Sequence, residues 1–99
     1  MDIEKMVNNE ELTLKLSGML DTATSPDLET LLDSSVSEDI KTLVFDMNEL
    51  EYISSAGLRV ILKAQKIMNG QGSMKLTGVK GTVLEVFNMT GFADILTIE

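Results

Sequence analysis

The segment Leu12–Ser17 alternates strictly between leucine and polar residues. This is the pattern of a β-strand with one buried face and one face in water. A shorter stretch, Ile3 to Val7, precedes it, and Asn8-Asn9-Glu10 between the two is typical of a turn. We therefore expect an antiparallel hairpin at the start of the chain, with Gly18 ending its second strand.

Apolar residues at helical spacing indicate three helices. The first is predicted to begin at an N-cap, Ser25, with Pro26 as its first helical residue. The second runs from about Ser55 to Asn69 and stops at Gly70-Gln71-Gly72, whose glycines favour a left-handed turn. The third is predicted over the 80s, and its ends need separate treatment.

The ends of the third helix are predicted from local sequence signals. Thr82 and Glu85 have the spacing of a capping box at its start, and Gly91 followed by Phe92 favours a left-handed end. A last strand is expected over Ile95 to Ile98. The chain would then finish on a strand rather than on a helix.

Two strands are predicted between the helices. Leu43-Val44-Phe45 is an apolar run without alternation, which indicates a strand buried on both sides, and we expect Asp46 to close it. Met74 and Leu76 alternate with polar residues, which indicates a strand with one wet face that ends at Gly78.

Alternating strands and helices imply parallel strands joined by right-handed crossovers. Because two strands have a polar face, we place the helices mainly on one side of the sheet. The predicted fold is α/β, a mixed sheet of four to five strands with an N-terminal antiparallel hairpin. The 99 residues are expected to form one domain, residues 1–99.

The composition excludes several classes of function. The chain has no cysteine and no histidine, so thiol catalysis, serine-hydrolase triads and the usual zinc sites are not expected, and neither a metal nor a cofactor is predicted. The net charge of −8 disfavours nucleic acid and attracts a protein partner with a basic face, although acidity also serves solubility alone. No signal peptide or membrane-spanning run is evident, which favours a cytoplasmic protein without membrane insertion.

Binding residues are expected at one edge of the sheet. The loops that leave the carboxyl ends of parallel strands meet there, and they are predicted at residues 18–24, 46–54 and 78–80. Asp21, Asp46 and the Ser54-Ser55 turn should therefore gather at this edge. For Asp21 and Asp46, a solvated or turn-capping carboxylate is an equally open interpretation.

Ser54 and Ser55 stand where an apolar strand end turns into the second helix. Unpaired N–H groups and the helix dipole make such a position favourable for a hydroxyl that carries a phosphate. We expect Ser54 to be the N-cap, with its hydroxyl bound to the first turn, and Ser55 to project outward as the phosphate acceptor. The plain alternative is an N-cap and a neighbour without a function.

Three segments resemble one family, the STAS domains of anti-sigma factor antagonists, also called anti-anti-sigma factors. They are LSGMLD at 16–21, LVFDMNELEYISSAGL at 43–58 and FNMTGF at 87–92. Their order and spacing span nearly the whole chain. Many members continue into a C-terminal helix, whose absence here would expose an apolar patch and favour self-association, and we expect a monomer or a weak dimer.

The resemblance implies a bacterial phosphoprotein that acts by binding and is not an enzyme. An anti-sigma factor serine kinase would bind the unphosphorylated form and release a sigma factor for transcription. Phosphorylation of Ser55, with Ser54 as the alternative acceptor, would end binding, and a serine phosphatase would reverse it. The partner-binding residues are then Asp21, Asp46, Ser54, Ala56, Gly57 and Arg59.

Alternatives remain at the level of function and of single residues. A constitutive STAS scaffold or regulatory subunit, as in a lipid-transport ATPase complex, would use the same face without phosphorylation. A small hydrolase using Asp21 and Asp46 is a second rival. Gly57 is as well explained by tight packing of the helix on the sheet as by a close approach of the kinase.

Overall fold

The computed structural model describes all residues from Met1 to Glu99. The elements follow in the order β1 (Asp2–Asn8), β2 (Glu11–Leu20), α1 (Ser25–Ser35), β3 (Thr42–Ile53), α2 (Ser55–Asn69), β4 (Ser73–Thr77), α3 (Gly81–Thr90) and a 3₁₀ helix (Phe92–Asp94). The strands form one sheet in the order β1-β2-β3-β4. β1 is antiparallel to β2, and the other pairs are parallel. The α/β prediction with its N-terminal hairpin is confirmed.

The sheet has one apolar face and one mixed face. Its two central apolar rows run across three strands and consist of Leu12, Leu43 and Met74, and of Leu14, Phe45 and Leu76. These side chains belong to a core of 22 buried residues to which all three helices contribute. The positions between them on β2 and β4, such as Lys15 and Thr77, are partly exposed. The helices therefore pack on one face of the sheet, as predicted.

Two strands are longer than the sequence patterns indicate. Gly18 does not end β2, because its left-handed backbone (φ +93) lies between two register shifts that the strand absorbs before continuing to Leu20. Asp46 does not close β3, because it still pairs with Lys15 on one side and Thr77 on the other. Both predicted strand ends are wrong, and the loop that leaves β3 is reduced to Ser54.

The predicted last strand is reduced to one bridge between Leu76 and Ile98. The N–H groups of Ile95 and Leu96 both donate to the Phe92 carbonyl oxygen, at 3.0 Å each, so a turn already uses the donors that a strand would need. Four strands, at the lower end of the predicted range, are present.

Three helix ends differ from prediction. The N-cap position of α1 is Thr24, whose side chain makes no cap hydrogen bond, and Ser25 is the buried first residue of the helix, whose N–H donates to the Asp21 carbonyl oxygen over 2.8 Å. α2 ends at Gly70 in a right-handed conformation (φ −85), so no left-handed turn follows it. α3 has no capping box, because its N-cap is Lys80 and Thr82 lies inside the helix. The left-handed end at Gly91 is confirmed (φ +78).

Candidate functional site

The junction of β3 and α2 is built around Ser54. Its hydroxyl oxygen accepts from the Gly57 N–H at 3.3 Å, which confirms the predicted N-cap. Its N–H donates to the Leu20 carbonyl oxygen at 2.9 Å, and its carbonyl oxygen accepts from the Leu58 N–H at 2.9 Å. Ser54 thus ties the end of β2 to the first turn of α2, and its hydroxyl is occupied.

Gly57 brings the first turn of α2 into direct contact with the sheet. A Cβ atom at this position would lie 2.8 Å from Leu20 Cγ, 2.9 Å from Ile53 Cγ1 and 2.9 Å from the Leu20 carbonyl oxygen. The residue is buried. These contacts support the packing interpretation of Gly57, and its contact with a partner stays a prediction.

Ser55 is the first residue of α2 and is exposed. Ala56 beside it is partly buried, and Arg59, one turn further on, is exposed. No hydrogen bond engages the Ser55 hydroxyl, in contrast to that of Ser54. A hydroxyl in water therefore stands next to a fixed one, as the sequence predicts.

Two shallow clefts flank this end of α2. The α1-side cleft, of about 240 Å³, separates Ala56 and Arg59 from Thr22, Pro26 and Glu29. The α3-side cleft, of about 300 Å³, is lined by Ser55, Leu58, Arg59, Leu62, Thr90 and Phe92. Arg59 lines both clefts, so it marks the ridge between them.

Asp21 lies at the predicted edge, since it directly follows Leu20, to which Ser54 is bound. One oxygen of its carboxylate accepts from the Ala23 N–H (3.0 Å), the Thr24 N–H (3.1 Å) and the Thr24 hydroxyl (3.1 Å). The hydrogen bonds from Thr24, followed by that from Ala23, lower the pKa of Asp21 below its ordinary value of 3.8. The carboxylate organises the loop between β2 and α1, which is the turn-capping interpretation.

Asp46 does not join this edge, and the prediction that it does is wrong. It lies inside β3, eight residues before Ser54, which corresponds to ~25 Å of extended strand. Its carboxylate accepts from the Asn48 N–H at 3.0 Å and from the Asn48 side-chain amide at 2.8 Å. These bonds, with Lys15 on the neighbouring strand, lower its pKa. The alternative of a structural carboxylate fits this position.

Some features of the site were not predicted from the sequence. Thr90, the last residue of α3, and Phe92, the first residue of the 3₁₀ helix, lie across the cleft from Ser55. On the open face of the sheet, Met19 and Tyr52 are paired neighbours, 49% and 39% exposed. The alternation of Met19 with buried Leu20, and of Tyr52 with buried Ile53, was the available signal for this second pair.

Charges on α2 are unevenly paired. Lys63 contacts both Asp33 and Glu29 of α1, at 3.3 Å each, and its hydrogen bond to Asp33, followed by that to Glu29, raises the pKa of Lys63. Arg59 has no carboxylate within ion-pair distance, since the remaining pair joins Lys75 and Glu99. The cation nearest to Ser55 along the helix is therefore unpaired.

The family model for the STAS domain matches residues 2–99 of the chain. The chain belongs to the STAS domain family. The chain is 38% identical to BtrV of Bordetella bronchiseptica, a protein that carries the name of an anti-sigma factor antagonist. The match covers 84% of the chain and 72% of BtrV. The chain is 26% identical to the anti-sigma-B factor antagonist of Listeria monocytogenes, over 93% of its length and 82% of the relative's.

The fold is also that of known structures. The phosphorylated form of the Bacillus cell fate determinant SpoIIAA superimposes with a TM-score of 0.77 at 18% identity, covering 99% of the STAS domain and 91% of the SpoIIAA chain. Such a likeness concerns the fold alone. None of the helices in the STAS domain is both long and apolar enough to cross a membrane.

Proposed function

We propose that this STAS domain is an anti-sigma factor antagonist controlled by phosphorylation of Ser55. In the unphosphorylated form it binds an anti-sigma factor that is a serine kinase, and a sigma factor is released for transcription. The kinase then phosphorylates Ser55 and ends the binding, and a serine phosphatase restores it. The domain takes part by binding and does not itself catalyse a reaction.

One observation carries the assignment to Ser55: two adjacent hydroxyls at the start of α2 differ completely in availability. The Ser54 hydroxyl accepts the Gly57 N–H and its residue is fixed to Leu20, whereas Ser55 is exposed. A kinase must reach the acceptor oxygen with its nucleotide, so the hydroxyl in water is the better substrate. The names of the relatives support the wider proposal.

The position of Ser55 also suits the phosphorylated product. A phosphoserine carries about −1.5 to −2 charges at pH 7. At the N-terminus of a 15-residue helix the dipole offsets part of this charge by about 0.3–1 kcal/mol. The fold should therefore tolerate the phosphate, and the effect of phosphorylation should fall on the interface with the partner.

The binding surface in this proposal is the ridge formed by Ser55, Ala56 and Arg59, with the clefts on both sides. The exposed pair Met19 and Tyr52 extends it toward the open face of the sheet. Asp21 contributes by holding the loop that forms one wall, and its part in direct contacts stays a prediction. A partner with acidic groups opposite Arg59 and a basic surface elsewhere would complement the net charge of −8.

Mass spectrometry after incubation with ATP and each purified anti-sigma serine kinase of the source bacterium tests the acceptor. We expect one phosphate on Ser55 in the wild-type domain and in Ser54→Ala, and none in Ser55→Ala. Ser54→Ala is the matched control, since it removes the neighbouring hydroxyl. Phosphate on Ser54, with Ser55→Ala still a full substrate, would contradict the assignment, and complexes without any phosphate transfer would favour a constitutive scaffold.

A further inference from the structure

Arg59 lies one helical turn after Ser55 and has no acidic partner. The ion pairs of the structure join Lys63 to Glu29 and Asp33, and Lys75 to Glu99. Residues four apart on a helix have Cβ atoms about 5–6 Å from each other. Ser55 and Arg59 also line the same cleft, on the α3 side. A free guanidinium therefore stands within reach of the Ser55 hydroxyl.

We propose that the phosphate on Ser55 is bound by the Arg59 guanidinium of the same helix, so that phosphorylation also withdraws Arg59 from the partner-binding surface. This rests on the proposed function, in which Ser55 is the acceptor. Phosphorylation would then change two features of the ridge together: the neutral hydroxyl becomes an anion, and the exposed cation becomes part of an internal ion pair.

The other groups around Ser55 leave Arg59 as the strongest partner for a phosphate. The remaining residues that line the α3-side cleft are uncharged: Leu58, Leu62, Thr90 and Phe92. In the first turn of α2, the N–H groups of Gly57 and Leu58 already donate to Ser54, so the other free donors are the uncharged N–H groups of Ser55 and Ala56. A guanidinium binds two phosphate oxygens at once in a charge-assisted pair.

Competition for Arg59 comes from one side only. Glu29 of α1 lines the other cleft together with Arg59, but its carboxylate oxygen lies 3.3 Å from Lys63 Nζ. No other acidic residue lines either cleft beside Arg59. The phosphate therefore does not need to displace an existing ion pair.

The experiment places phosphoserine at position 55 during translation, without a kinase, and follows its second pKa by phosphorus NMR. Four proteins with phosphoserine at position 55 are compared: one otherwise wild type, and the variants Arg59→Gln, Arg59→Lys and Lys66→Gln. Lys66 is the matched control, because it is an exposed cation on the same helix ~16 Å from Ser55. Neither Arg59 nor Lys66 is buried, so these variants should fold.

We expect Arg59→Gln to raise the second pKa of the phosphoserine by about half a unit, since a cation near the phosphate favours the dianion. Arg59→Lys should give a smaller rise, and Lys66→Gln should leave the value unchanged. Equal pKa values in the wild-type and Arg59→Gln proteins, or an equal rise in Lys66→Gln, would overturn the proposal.

A second measurement needs no substitution at Arg59. The Arg59 Nε–H resonance should shift when Ser55 is replaced by phosphoserine and should follow the same titration midpoint as the phosphorus signal. An Arg59 Nε–H chemical shift that does not change when phosphoserine is present would overturn the ion pair. These measurements use no kinase, so they test the ion pair separately from the proposed function. If the kinase fails to phosphorylate Ser55, the proposed function is contradicted, but the ion pair between phosphoserine and Arg59 can still be tested.

Discussion

The starts of α2 and α3 are built in opposite ways. α2 begins with Ser54, whose side chain caps the helix, and its first turn holds Gly57 against β2. α3 begins after Lys80, which makes no side-chain cap, and its Gly81 (φ +55) would have no atom within 4 Å of an added Cβ. One helix start is fixed to the sheet, and the other is open.

This difference bears on how the chain positions the proposed phosphate acceptor. α3 is held by the burial of Val83 and Phe87 further along, so its first residues need no fixed position. In the proposed function α2 presents Ser55 and Arg59 to a partner, and the contacts of Ser54 and Gly57 with Leu20 fix the first turn of α2 against the sheet. Substitutions at the two helix starts should therefore have unequal effects.

The largest difference is expected between the two glycines. Gly57→Val should lower the free energy of unfolding by about 3 kcal/mol, because its side chain would overlap Leu20 and Ile53 and the helix would have to move. Gly81→Ala should cost only about 1 kcal/mol, since it meets no neighbour and adds only the strain of a left-handed residue. Urea denaturation measures both values. Equal losses would contradict the idea that only α2 is fixed to the sheet.

The caps should differ by a smaller amount. Ser54→Ala removes the acceptor of the Gly57 N–H and should cost about 1 kcal/mol, which is roughly 4–8 °C in Tm for a domain of this size. Lys80→Ala should stay within about 0.5 kcal/mol of wild type, because no side-chain cap is lost. The Tm values of the two variants, measured side by side, test this difference. If Lys80→Ala lowered Tm as much as Ser54→Ala does, the two helix starts would not differ in their side-chain caps.

The smallest effect is expected in the Asp21 loop that adjoins the start of α2. The pKa of Asp21 is lowered in the folded state, so its contribution to stability is complete above the ordinary value of 3.8 and is lost as pH falls through the lower, folded value. Asp21→Asn should therefore flatten the fall in Tm over this acid range and leave the remaining pH dependence unchanged. A wild-type slope in the variant would show that Thr24 and Ala23 do not stabilise the carboxylate.

The core residues were predictable from the sequence, because apolar side chains recur every second residue in these strands and every three to four residues in the helices. The alternation of Leu12, Leu14 and Leu16 is enough to identify the buried face of β2. Gly18 and Asp46 were misread as strand ends because glycine and aspartate usually interrupt strands. Here a neighbouring strand on each side keeps β3 extended at Asp46. The sequence around Asp46 does not reveal which strands will pair with it.

The site was predictable in part for the same reason. The N-cap role of Ser54 is a local property, set by a hydroxyl before a helix. The packing of Gly57 on Leu20 and the position of Phe92 opposite Ser55 depend on how separate elements meet. The interpretation of Gly57 therefore stayed open, and the cleft beside Ser55 was missed.

In the proposed switch, a negative charge on Ser55 ends binding without disturbing the fold, and the affinity of Ser55→Asp for the anti-sigma kinase measures this effect. Ser55→Ala is the matched control, since it removes the hydroxyl without adding charge. We expect both variants to keep a Tm near wild type, Ser55→Ala to bind as the wild type does, and Ser55→Asp to bind about a hundredfold more weakly, a loss of about 2.7 kcal/mol. Wild-type affinity in a folded Ser55→Asp would contradict control by phosphorylation and favour a constitutive scaffold.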